Sequence, residues 1–393
     1  MRRALMLLGM LLPVAALADD GQYLARLGDC TACHTAPNGE YMAGGLAFDT
    51  PVGKIYSTNI TPHPEQGIGK YTYEDFANAM RKGVAREGHA LYPAMPYPNY
   101  AAITDQDMQS LYQYFMEKVP ASATVNKDSD IPWPLSMRWP LKIWNALFLE
   151  DAAFKADPSA SQSYNRGAYL VQGLAHCGAC HTPRGWAMQE LGQNESHALF
   201  LSGAALDGWY ATDLRNHQYS AEELVQLPKT GRSNSHAVSG PMSDVISHST
   251  QYLSDDDAKA IAEYLVAIAQ PAPLSTHKPQ AQASDKIAGT YMSYCAVCHG
   301  REGQGVASVI PALVGNPTVT ADDASSLLQV LLNGSHSPRT QQHIGYAMPG
   351  YGWTLDDEKL ADLANYLRSS WGNQASAVEA GHVAKVRGAT RAH

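Results

Sequence analysis

Cys30-Thr31-Ala32-Cys33-His34, Cys177-Gly178-Ala179-Cys180-His181 and Cys295-Ala296-Val297-Cys298-His299 decide the reading of this chain. They use all six cysteines, and every pair is followed at once by a histidine. C-x-x-C-H is the attachment site of c-type haem. Each thiol forms a thioether with one vinyl group. Two intervening residues let the pair straddle one edge of the ring, and the next histidine then lies under the iron as proximal ligand. The expected cofactors are three covalently bound haem c groups. Cys30, Cys33, Cys177, Cys180, Cys295 and Cys298 would attach them, with His34, His181 and His299 on the iron. Three disulfides would not require a histidine after every second cysteine and belong to smaller chains. Zinc would want the C-x-x-C units in pairs. A thioredoxin-like motif would occur once, near a βαβ pattern.

Outward from the motifs, a repeat is visible. Each motif ends a short helical stretch containing Gly and Tyr: Gly21-Gln22-Tyr23-Leu24-Ala25, Arg166-Gly167-Ala168-Tyr169-Leu170 and Ala288-Gly289-Thr290-Tyr291-Met292. Each repeat closes with an amphipathic helix, over Thr104 to Phe115, Ser254 to Leu265 and Thr354 to Leu367. Thr104 with Asp107, and Ser254 with Asp257, resemble capping boxes. The remaining Asp255-Asp256-Asp257 run reads as capping and solvation. Tyr114, Tyr264 and Tyr366 recur near the helix ends.

Methionines offer the sixth iron ligand. Met95, Met242 and Met348 each precede a closing helix in a Pro/Gly-rich loop. His34 to Met95 and His181 to Met242 both span 61 residues, and His299 to Met348 spans 49. Imidazole plus thioether ligation raises the haem potential and suits electron transfer. Met80, Met108, Met116, Met188 and Met292 read as core filler. His89, His236, His248, His336 and His343 are the rival ligands and read as surface or supporting residues. A proximal histidine needs its other ring nitrogen held by an acceptor. The carbonyl of Pro311, 12 residues after His299, is the candidate in the third repeat. The first two repeats carry insertions there, and no acceptor is assigned.

Length and composition agree. A chain of 393 residues suggests two or three domains. With 28 Lys plus Arg against 37 Asp plus Glu, the net charge of −9 excludes nucleic acid as an expected partner. A content of 45% hydrophobic and 17% charged residues argues for buried cores. Arg2 and Arg3, the apolar run Leu5 to Ala16 and the small-x-small site Ala16-Leu17-Ala18 read as a secretory signal peptide. The fold class expected is mainly α, with three tandem helical domains and one covalent haem each. The boundaries are 1–18 signal peptide, 19–118 first domain, 119–162 linker, 163–270 second domain, 271–284 Pro-rich linker, 285–372 third domain and 373–393 polar, disordered tail. The first linker holds Trp133, Trp139 and Trp144 with Arg138 and Lys142. It reads either as packing between domains or against a partner, or as an element at the membrane interface.

The chain resembles the three-haem cytochrome c subunits of bacterial membrane-associated dehydrogenases of the alcohol and gluconate 2-dehydrogenase type. The resemblance runs from about residue 20 to 372. It rests on the three motifs and on Ser57-Thr58-Asn59-Ile60-Thr61-Pro62, Gly67-Ile68-Gly69-Lys70-Tyr71, Leu91-Tyr92-Pro93-Ala94-Met95-Pro96-Tyr97, Leu206-Asp207-Gly208-Trp209, Gly240-Pro241-Met242 and Tyr346-Ala347-Met348-Pro349-Gly350. It implies iron ligation by His34 and Met95, His181 and Met242, and His299 and Met348. It further implies a catalytic partner subunit carrying flavin, PQQ or molybdenum, sometimes with a small third subunit. The electron acceptor would be ubiquinone or another carrier, on the periplasmic side of the cytoplasmic membrane with peripheral membrane contact. No catalytic constellation belongs to the chain itself: GxSxG is absent, as is GxGxxG before a helix. The expected role is electron relay for a dehydrogenase. A free soluble multihaem carrier and a haem peroxidase are the alternatives.

Overall fold

The computed structural model describes residues 14–50, 52–150, 153–216, 219–270, 280–284 and 286–391. The signal-peptide segment up to residue 13, and most of the Pro-rich linker 271–284, lie outside the described residues. The chain divides into two compact units, Met1–Phe154 and Lys155–His393. Helices dominate both. Among the described residues the strands form three short antiparallel hairpins, pairing 47–50 with 53–56, 204–206 with 209–211 and 334–336 with 347–349.

In the first unit the helix Val14–Leu27 crosses the closing helix Asp105–Glu117. The crossing is close because Gly21 has no side chain: a Cβ there would run into the Ser110 carbonyl. Leu24, Leu27, Met108, Leu111, Tyr114 and Phe115 are buried around it. Such side chains each contribute about 1.5–3 kcal/mol through burial. Thr104 caps the closing helix by accepting from the Asp107 amide. Full capping boxes occur elsewhere, at Thr72 with Asp75 and at Ser220 with Glu223.

The second unit repeats the crossing with Gln162–Tyr169 against Asp255–Ala267. Here a Cβ on Gly167 would meet the Ala260 carbonyl. The Arg166 guanidinium clamps the buried Asp257 carboxylate with two bonds of 2.8 and 2.9 Å. Asp257 is therefore a buried ion-pair partner as well as part of a cap, and Asp255 pairs with Lys229. The acidic run is thus more than capping and solvation.

The third repeat departs from the other two. Its opening helix Ile287–Tyr294 packs on Asp357–Ser369, yet a Cβ on Gly289 would have open space. Gly289 is not a close-approach glycine. Tyr291, with Tyr366 and Trp371 at 5.4 and 5.0 Å, fills the junction instead. The closing helix starts later than the expected Thr354. Asp356 is its cap and accepts from the Lys359 amide, while Thr354 and Leu355 turn back onto the Tyr351 carbonyl. The expected disordered tail is a helix, Ala380–Arg391. Val383 and Val386 are buried in the third core, and Arg387 binds Asp357 and the Leu355 carbonyl.

Within the second unit the second and third repeats are bonded together. Tyr210 N–H donates to Ser326 Oγ, whose hydroxyl donates back to the Tyr210 carbonyl. Ala312 N–H donates to the Ser235 carbonyl, and Ser243 Oγ donates to the His336 carbonyl.

Candidate haem sites

Each motif lies on a single helical turn: Cys30–His34, Gly178–His181 and Ala296–His299. None of the six cysteines is in a disulfide. Burial pushes the Cys30 and Cys177 thiols up to about 12 and the Cys295 thiol up to about 11. They are neutral, apolar groups, in keeping with the edge of an apolar ring.

The three histidines are held in one way. The His34 Nδ1–H donates to the Thr58 carbonyl at 2.6 Å, His181 to Thr212 at 2.7 Å and His299 to Pro311 at 3.0 Å. The Pro311 acceptor is the one anticipated from sequence. Burial lowers the pKa of all three rings, so the imidazoles are neutral. A neutral ring with Nδ1–H bound presents the Nε2 lone pair, the form that ligates a metal.

The backbone is held as well. The carbonyls of His34, His181 and His299 accept from the amides of Gly44, Gly203 and Gly305 at 2.7, 2.8 and 2.8 Å. All three glycines have positive φ, 73°, 87° and 65°. In two cases the absence of a side chain also makes room for the acceptor. A Cβ on Gly44 would come within 2.6 Å of the Thr58 oxygen, and one on Gly305 within 2.7 Å of the Pro311 oxygen. The glycine cradle and the fixed ring tautomer fit covalently held haem. His34, His181 and His299 could hold iron, and the paired cysteines the ring edge.

Sequence reading missed Thr58 and Thr212. Both follow the second strand of a hairpin inserted after the motif, in Tyr56-Ser57-Thr58-Asn59-Ile60 and Tyr210-Ala211-Thr212-Asp213-Leu214. That shared Tyr, small residue, Thr, Asx, aliphatic pattern was the available signal.

Met95, Met242 and Met348 are all partly buried, but not all lie in loops. Met95 is in the turn before the short helix Tyr97–Tyr100. Met242 is the second residue of the helix Pro241–His248, and Met348 is in a strand, opposite Ser335. Pro241 suits the first turn of a helix and Gly240, at φ 58°, the entry to it. Among the rival ligands His89, His248, His336 and His343 are exposed. His236 gives its Nδ1 to Glu223 at 2.6 Å.

Paired thiols beside an imidazole pinned at one nitrogen, three times over on helical scaffolds, define a c-type cytochrome. The cytochrome c family model matches residues 18–117, and that of cytochrome c oxidase, cbb3-type, subunit III matches residues 282–367. The gluconate 2-dehydrogenase cytochrome c subunit of Pantoea cypripedii is 45% identical, over 96% of this chain and 92% of its own. The cytochrome c subunit of the quinone alcohol dehydrogenase of Komagataeibacter europaeus is 45% identical, over 95% and 84%. The fructose dehydrogenase cytochrome subunit of Gluconobacter japonicus is 37% identical, over 93% and 82%. The chain belongs to this family of electron-transfer cytochrome c subunits of membrane-associated dehydrogenases.

Proposed function

We propose that the chain carries three haems and passes electrons singly from a catalytic dehydrogenase subunit to ubiquinone or another carrier. It would work at the periplasmic face of the cytoplasmic membrane. The observation that carries the reading is the thrice-repeated hold on the motif histidine, ring to a carbonyl and carbonyl to a glycine amide. Each haem, when bound, supplies one-electron iron chemistry. Cys30 and Cys33, Cys177 and Cys180, and Cys295 and Cys298 attach the rings. His34, His181 and His299 offer Nε2 on one side, and Met95, Met242 and Met348 offer thioethers that raise the potential. The Thr58, Thr212 and Pro311 carbonyls fix the tautomer and increase the basicity of the ligand. In this reading residues 19–118, 163–270 and 285–391 are the three haem domains.

Relatives of equal identity are named for gluconate and for alcohol. The partner, with flavin, PQQ or molybdenum, therefore sets the substrate, an alcohol, sugar acid or aldehyde, while the cytochrome stays common.

Purification in mild detergent from native membranes, with haem staining, tests the reading. Three haems per chain and a large cofactor-bearing subunit in fixed ratio are expected. A lone, freely soluble chain would point to a diffusing carrier instead. Replacing Met95, Met242 and Met348 one at a time should each remove one third of the ferric methionine-to-iron absorption. An unchanged band would exclude that methionine.

A further inference from the structure

The segment 131–149 is unlike the rest of the molecule. It contains no Asp or Glu and carries Arg138 and Lys142, in a chain of net charge −9. Its helix, Trp139–Phe148, is anchored along one side. Trp144 packs edge-on against Tyr97 at 6.2 Å and lies 5.5 Å from Phe148. Asn145 accepts from the Tyr97 hydroxyl at 2.6 Å and donates to the Lys82 carbonyl at 2.9 Å. Arg138 lies 3.8 Å over the Tyr92 ring and donates to the Ala90 carbonyl.

The other side is apolar and open. Trp139, Ile143 and Leu147, one helical turn apart, are 59, 54 and 66% exposed. Trp133 and Leu135 extend the face at 79 and 53%. Lys142 is exposed beside them.

We propose that this face docks the protein onto an anionic phospholipid bilayer. Ten residues of helix reach about 15 Å, half of the roughly 30 Å hydrocarbon core, so the helix lies in the plane of the interface. Tryptophan is favoured at that depth, and lysine there reaches back to phosphate. Charge selects the occupant. An acidic protein is repelled by an anionic surface, and a cationic segment free of acidic residues reverses that repulsion locally. The inference rests on the reading that the chain works at a membrane, and it names the element that makes the contact.

The test uses the full haem-loaded chain, without a catalytic subunit, sedimented with phosphatidylcholine vesicles containing roughly 30% phosphatidylglycerol. The wild type should sediment, with a blue-shifted tryptophan emission. Trp139→Glu combined with Ile143→Glu should lower the bound fraction about tenfold. Both side chains point to solvent, so the fold should persist. Trp353→Glu, at an equally exposed residue of the third repeat, should change nothing. Equal sedimentation of wild type and double variant would overturn the proposal. So would failure of the wild type to bind, or binding only after a catalytic subunit is added, which would make a protein the occupant. Haem content and reducibility of the same samples report on the relay separately.

Discussion

Gly305 shows what one missing side chain does. Its amide holds the His299 carbonyl, and the space its Cβ would fill belongs to the Pro311 carbonyl that holds the ring. Gly305→Ala should cost about 1–2 kcal/mol from the left-handed backbone alone. It should also push the acceptor off His299, making the imidazole a weaker donor and raising the potential of one haem of three. A redox titration resolving the three steps checks this, and a rigid shift of all three would contradict it. Pro311 was legible because it follows its histidine by 12 residues with no inserted element. Thr58 and Thr212 were not, because hairpins of unlike length separate them from His34 and His181, and backbone acceptors leave no side-chain signature.

At the scale of elements, the two helix crossings rest on glycine and the third does not. Gly21→Ala and Gly167→Ala should separate helices that now touch at the backbone, lowering thermal stability and exposing Tyr114 and Tyr264. Gly289→Ala should stabilise by about 0.4–1 kcal/mol, since it meets nothing and restricts only the unfolded chain. Asp257→Asn would leave the Arg166 guanidinium without its charge partner at the second crossing. A loss of about 3 kcal/mol in denaturant melts is expected. Glu223 adds a pH dependence. Burial would raise its pKa, but the Ser235 hydroxyl, the Ser220 amide, His236 and the Ser233 hydroxyl together bring it down to about 2. Its stabilisation is complete above the unfolded value of about 4.3 and fades as pH falls toward 2. The wild type should therefore lose more stability than Glu223→Gln between those limits. Helical periodicity and caps made the crossing helices readable, apart from the late start at Asp356. The settings of Met242 and Met348 were not readable, because Pro and Gly signal a turn equally well as they signal a helix start or a strand end.

At the scale of the whole molecule, the repeat count seen in sequence and the compact units differ. Three motifs are distributed over two units, because bonds such as Tyr210 to Ser326 join the second and third repeats. Calorimetry should show two transitions, and limited proteolysis near residue 155 should separate a fragment with one motif from a fragment with two. The terminal helix was not legible because its apolar content is two valines among small and polar residues. Truncation before Ala380 would remove Val383, Val386 and the Arg387 clamp. Only the third haem's environment should loosen, seen as altered absorption and potential of that step. An acidic surface should also make reduction by a partner slow as salt rises.

The double hold on each motif histidine bears on speed. An iron that changes charge must drag its ligands and surrounding dipoles to new positions, and that reorganisation energy is a barrier to every electron transfer. Here the imidazole is fixed at its ring and its backbone by groups that are already oriented. Oxidation and reduction then move few atoms, and the rate of each hop is left to separation and driving force.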